Sequence, residues 1–144
     1  MNMIDRLIDK NIKVRDIPGW GAYLKKEWET HFAGHLSDKE KQSIYLLDAD
    51  GFGGYLWHLF SYKKKKCLEG EKAEVAFRDQ RKHSCFIFFQ DTEDALLLED
   101  ASGFDVIDLS SEVGRDIYVV DKQFRWTFVL THETDWLGPY FSRR

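Results

Sequence analysis

Two prolines, ten glycines and two cysteines are all that 144 residues hold of the types that punctuate or staple a chain. So little proline and glycine excludes a linker-like or low-complexity chain and points to continuous packed elements. Cys67 and Cys85 are too few for a disulfide framework, so a reducing compartment is expected. No uncharged apolar run approaches the roughly 20 residues that span a bilayer, so no membrane partner is expected. Met1 to Asp9 carries charges every few positions and no apolar centre, which argues against a secretory signal and for a cytoplasmic location. Basic charge is not in excess either. Lys and Arg number 21 against 25 Asp and Glu, a net charge of −4 that disfavours non-specific nucleic-acid binding.

What is present is ring-rich. Aromatic residues make up 15% of the chain, enough to expect a core built on rings, and the length suits one domain over residues 1–144. Asp116 to His132 (DIYVVDKQFRWTFVLTH) is the most ordered stretch. Two runs of period two, rich in β-branched and aromatic residues, flank a polar break, which predicts a C-terminal β-hairpin. A four-residue loop from Asp121 to Phe124 would pair Val119 with Trp126 and Ile117 with Phe128. Ile117, Val119, Trp126, Phe128 and Leu130 then share a buried face. Tyr118, Arg125, Thr127 and Thr131 lie on a half-wet one.

Upstream, Met3, Ile4, Leu7 and Ile8 predict a short helix, and Ile12 to Ile17 a short extended piece. Trp20, Leu24, Trp28 and Phe32 repeat every four residues, the stripe of an amphipathic helix. Ser37-Asp38-Lys39-Glu40 is a capping box opening a second helix. Tyr55 to Tyr62 (YLWHLFSY), between glycines and lysines, reads as a strand. Glu71 to Gln80 reads as a helix with Ala73, Ala76 and Phe77 inward. Ser84 to Gln90 is apolar on both faces and suits a central strand, with Ala95 to Glu99 its antiparallel partner. Ser102 to Val113 reads as a helical turn and Thr134 to Arg144 as an irregular tail. Together these predict an α+β fold, with N-terminal helices on one face of a mostly antiparallel sheet of about five strands.

No stretch carries a cofactor motif, and none is expected. The Gly51–Gly54 turn could cradle a phosphate, but lacks the Gly-Lys-Ser/Thr ending of a P-loop. It also lacks the flanking carboxylates of a calcium loop. Cys67, His83, Cys85 and His58 are the candidate metal ligands, yet no C-x-x-C pair is among them and no metal is expected. His58 reads either as a general base or as a core histidine with a satisfied ring nitrogen; the second is the commoner case. His132 and Glu133, where the hairpin leaves the sheet, place an imidazole beside a carboxylate and are the stronger acid–base candidates. Between Asp91 and Asp116 nine acidic residues face Arg115 alone. Asp91, Glu93, Asp94, Glu99, Asp100, Asp105, Asp108 and Glu112 are therefore the candidate binding surface for a basic protein partner. Lys63 to Lys82 has the opposite bias.

Trp20-Gly21, Trp28-Glu29, Gly51 to Tyr62, Cys67-Leu68-Glu69, Asp116 to Asp121, Trp126-Thr127, Thr131-His132-Glu133 and Gly138 to Phe141 carry a resemblance across nearly the whole chain. In these the sequence resembles a family of small single-domain proteins of unknown function from Gram-positive, spore-forming bacteria. The resemblance implies no activity. In overall look the chain is also similar to bacterial toxin-immunity proteins, compact acidic α+β binders. The leading expectation is a non-enzymatic, immunity-like binding or inhibitor protein. The alternatives are a small hydrolase or nucleotide-binding enzyme using His132 and Glu133, and a homo-oligomeric structural protein.

Overall fold

The computed structural model describes residues 1–47, 54–134 and 136–144. Most of the Gly51–Gly54 turn lies outside these residues; Gly54 alone is described. The chain opens with α1 (Met3–Asp9), β1 (Lys13–Asp16), α2 (Gly21–Ala33) and α3 (Asp38–Ser43). After α4 (His58–Ser61) come β2 (Leu68–Glu69), α5 (Glu71–Asp79), β3 (Cys85–Phe89) and β4 (Ala95–Glu99). A 3-10 turn (Val106–Glu112), β5 (Ile117–Asp121), β6 (Trp126–Leu130) and β7 (Tyr140–Arg143) complete it. The strands form one sheet in the order β1-β4-β3-β5-β6-β7-β2, with every neighbouring pair antiparallel.

The α+β expectation holds, with seven strands in place of about five. The expected strand over YLWHLFSY is instead a turn leading into the short helix α4 (His58–Ser61). Leu56, Trp57, Leu59 and Phe60 are the buried positions. Alternation would have buried 56, 58 and 60; the observed spacing is that of a helix face. The irregular tail supplies β7, whose Tyr140 and Phe141 pair with Val129 and Phe128. Both β2 and β7 are too short to show a periodicity of their own.

Helices also cover both faces of the sheet, not one. On one side Leu24, Trp28 and Phe32 of α2, with Leu59 and Phe60 of α4, pack on Phe86, Phe88, Tyr118, Val120 and Val129. On the other, Leu7 of α1, Phe77 of α5 and Leu109 pack on Ile87, Phe89, Val119, Trp126 and Phe128. The reason lies in the central strands. All five residues of β3, of β5 and of β6 are buried, so neither face can be left to water. The expected half-wet face is thus dry at Tyr118 and Thr127. Trp28 Nε1 donates to Thr127 Oγ1 at 3.0 Å, whose hydroxyl donates in turn to the Val119 carbonyl at 2.9 Å. Trp20 leaves the helical stripe and is partly exposed.

The hairpin pairs Val119 with Phe128 and Ile117 with Leu130, two residues from the expected register. A shift of two preserves which side chains share a face, so Ile117, Val119, Trp126, Phe128 and Leu130 do lie together in one core. The strands leave a four-residue loop, 122–125, one position later than expected; within it Phe124 takes a left-handed conformation, φ 57°, and its N–H donates to the Asp121 carbonyl at 2.8 Å.

Candidate functional site

Ile117 opens β5 and Leu130 closes β6, and the two are paired. The residues just outside that pair, Asp116 and His132, are therefore neighbours at one end of the sheet. The buried Asp116 carboxylate accepts the His132 backbone N–H at 2.8 Å and lies 2.9 Å from its ring Nδ1. In the neutral ring a carboxylate paired in this way holds the Nδ1–H tautomer and leaves Nε2 as the acceptor. Glu133 Oε1 stands 3.7 Å from that Nε2. The turn that presents them is closed by threonines. Thr134 Oγ1 accepts from Thr131 N–H and donates to the Thr131 carbonyl, while Thr131 Oγ1 donates to the Leu137 carbonyl.

The facing wall comes from residues 54 to 62. Gly54 sits at φ 82° with its Cα against the backbone of Tyr45 and Leu46; a Cβ there would lie 2.5 Å from the Tyr45 carbonyl oxygen. Next, Leu56 N–H donates to Gln90 Oε1 at 3.0 Å and Trp57 N–H to the Tyr118 hydroxyl at 3.1 Å. The Tyr118 hydroxyl itself donates to Gln90 Oε1. Burial, with the nearby Asp116 charge second, pushes the Tyr118 phenol well above its usual range, so it stays protonated and able to donate. These bonds hold the segment against β3 and β5. His58 Nδ1 lies 2.8 Å from the Ile44 carbonyl. A carbonyl can only accept, so this Nδ1 also carries the proton, and a neutral ring leaves Nε2 free.

Rings connect the two walls. Tyr55 lies 5.2 Å from His58 and 5.6 Å from both Trp57 and His132, centroid to centroid, and Trp57 lies 5.8 Å from His132. They line a cleft of about 390 Å³ completed by Ser61, Tyr62, Glu133 and Leu137. On the other side of His132 and Glu133 a second hollow of about 350 Å³ runs to Val113, Arg115 and Trp136. Trp136 is 87% exposed and Val113 81%, unusual for such residues. The Trp57 indole N–H is buried without a partner among the described residues.

The structure thus brings His58, His132 and Glu133 to one cleft. The acidic candidates are divided. Asp91 and Glu112 reach the same end of the sheet and hold Arg115 between them at 3.1 and 3.3 Å. Glu93, in the β3–β4 turn, caps α2 through Ala22 N–H at 2.6 Å, and Asp94 is exposed beside it. At the opposite end of β4, Glu99 and the exposed Asp100 lie close to Lys13, 3.4 Å from Asp100. Asp105 caps the 3-10 turn, and the buried Asp108 pairs with Lys10 at 2.8 Å. Several of these carboxylates therefore satisfy backbone and cations within the fold.

The candidate metal ligands are scattered. Cys85 is buried in one core, its thiol pushed up to about 12 by burial and then by Asp121. Cys67 packs against the other core, its thiol pushed up to about 11 by burial and then by Glu69. His83 is exposed. His31 and His35, four apart, go separately to Phe124 and to the Lys64 carbonyl. Among the described residues no group of three or more His, Cys, Asp or Glu is placed to hold a metal ion. No described helix is long and apolar enough to cross a membrane.

Sequence pattern alone does not single out Asp116, Tyr55, Trp57, Tyr62 or Trp136 as site residues. Asp116 was readable in principle, since it faces His132 across the mouth of the hairpin. The aromatic wall was hidden by the strand reading of YLWHLFSY.

A family described as "Domain of unknown function (DUF4275)" matches residues 1–141. No curated protein and no solved structure matches the chain.

Proposed function

We propose, for a chain that belongs to the DUF4275 family and so to a domain of unknown function, a non-enzymatic binding role exercised at the His132 end of the sheet. The observation that carries this is the convergence there of exposed rings. Trp136, Tyr62 and Tyr55 all stand out of the surface around the two hollows, with Trp136 the most exposed. Hot spots of protein interfaces are enriched in Trp and Tyr, and surplus apolar area on a folded surface marks a contact site. Asp91, Glu112 and Glu133 border the same face, so a basic protein partner fits it, as for an immunity-type inhibitor. The remaining acidic candidates, Glu93, Asp94, Glu99, Asp100, Asp105 and Asp108, would act through the long-range field more than by contact.

The test is quantitative binding to a partner purified with the full chain. Trp136→Ala is expected to weaken it by about 2 kcal/mol, roughly thirtyfold, and added salt to weaken it further. An unchanged affinity in Trp136→Ala, or recovery indifferent to salt, discards the reading.

A second reading is favoured by one contact, the Asp116–His132 pair. A ring oriented through Nδ1 with Nε2 open to a cleft is the arrangement of a general base, and the hydroxyls of Ser61, Tyr55 and Tyr62 line that cleft. Hydrolysis of simple ester or phosphoester substrates that disappears in His132→Gln and in Asp116→Asn would establish it. Turnover surviving in both variants would remove it.

A further inference from the structure

We infer that the cleft between Tyr55 and Glu133 takes an ammonium group, that of a lysine side chain presented by a basic protein partner. This rests on the binding reading above and names the chemistry of its contact.

The cleft is built from acceptors and π-faces. His58 and His132 each place Nδ1 on a fixed acceptor, the Ile44 carbonyl and the Asp116 carboxylate, so that in the neutral ring Nε2 turns a lone pair outward. His132 Nε2 and Glu133 Oε1 face one another at 3.7 Å. With the ring neutral, both are acceptors, and no proton lies between them. A donor carrying positive charge and several N–H groups satisfies both at once; a carboxylate or phosphate would satisfy neither. Tyr55 and Tyr62, both exposed, line the cleft, and an aromatic face attracts a cation within about 6 Å of its centroid. Among the described lining residues there is no Lys or Arg, and Leu137 offers an apolar surface for a methylene stem. A volume of about 390 Å³ admits a whole lysine side chain. Two cations of this end of the sheet are engaged within the fold, and the exposed Lys63 that follows Tyr62 is outside the cleft lining. Arg115 lies between Asp91 and Glu112, and Lys25 Nζ donates to the carbonyls of Gln90 and Thr92.

The experiment is an NMR titration of the full chain with three probes: Nα-acetyl-lysine methylamide, its norleucine counterpart and spermidine. The lysine probe is expected to shift the ring signals of His58, His132, Tyr55 and Tyr62, and the norleucine probe to leave them in place. Glu133→Gln and Tyr62→Ala should each weaken the lysine probe about fivefold, or ~1 kcal/mol. Equal responses to lysine and norleucine would overturn the inference, since the cleft would then be reading only the apolar stem. So would lysine shifts that survive both variants. A response to spermidine without one to lysine would replace the protein partner by a free polyamine. A chain that binds its partner through Trp136 yet ignores the lysine probe would sink the ammonium assignment and leave the contact face standing. Loss of both would sink the face itself.

Discussion

Tyr118 shows how one hydroxyl can govern a site it does not line. Its oxygen accepts from Trp57 N–H and its proton goes to Gln90, which also receives Leu56 N–H. Removing it leaves a buried backbone donor without a partner, a loss of about 1–3 kcal/mol. Tyr118→Phe is therefore expected to lower the urea midpoint, and to broaden the Tyr55 and Trp57 signals while His132 keeps its bond to Asp116. The two thiols make a second prediction. Burial holds Cys85 up at about 12 and Cys67 at about 11. A thiol whose folded pKa exceeds its unfolded value stays protonated in the native state while the unfolded chain ionises. Its stabilising effect is complete below the unfolded value, near 8.5–9, and is lost as pH rises towards the folded one. Native protein should react slowly with thiol reagents at pH 8, and its urea midpoint should fall between pH 8 and pH 10. A Cys85→Ala, Cys67→Ala variant should show a shallower fall.

At the level of elements, the capping box of α3 is what the residues promised. Glu40 N–H donates to Ser37 Oγ and Ser37 N–H to Glu40 Oε1, both at 3.1 Å. Ser37→Ala should cost about 1 kcal/mol in chemical denaturation. The α2 stripe was equally legible, because Leu24, Trp28 and Phe32 bury one face and repeat with the turn of the helix. The segment from 54 to 62 was not legible as helix. Its register is set from outside, by Gln90, Tyr118 and the close passage of Gly54 over Tyr45. Gly54→Ala puts a Cβ into the Tyr45 carbonyl and strains a left-handed backbone. It should weaken the lysine probe as well as the fold, whereas Ser37→Ala should touch stability alone. Measuring both quantities on both variants separates positioning of the cleft from general loosening.

For the whole molecule, the sheet divides the interior into two cores. Phe32 lies in one; Phe77, stacked 4.3 Å from Phe128, lies in the other. Phe32→Leu and Phe77→Leu touch no common partner through the sheet, so their losses should add to within roughly 0.5 kcal/mol in the double variant. A larger coupling would mean that the sheet transmits strain between the layers. Charge is also distributed by the fold. Asp91, Glu93, Asp94, Glu112, Asp116 and Glu133 gather at the His132 end. At the other end of the β6–β7 pair lie Arg125, Arg143 and Arg144, with Lys65 Nζ donating to the Arg143 carbonyl at 3.0 Å. The Lys63–Lys66 run and the C-terminal arginines meet only because β7 lies between β6 and β2.

Residue pattern alone determined the α+β class, the hairpin and its buried face, the early helices, the capping box and the grouping of His132 with Glu133. Each of these depends on spacing within a short stretch, and short-range periodicity is written along the chain. Tertiary packing decided the helical form of YLWHLFSY, the recruitment of β2 and β7, the second covered face and the union of His58 with His132. Those features rest on hydrogen bonds and ring contacts between residues dozens of positions apart, where local pattern carries no signal.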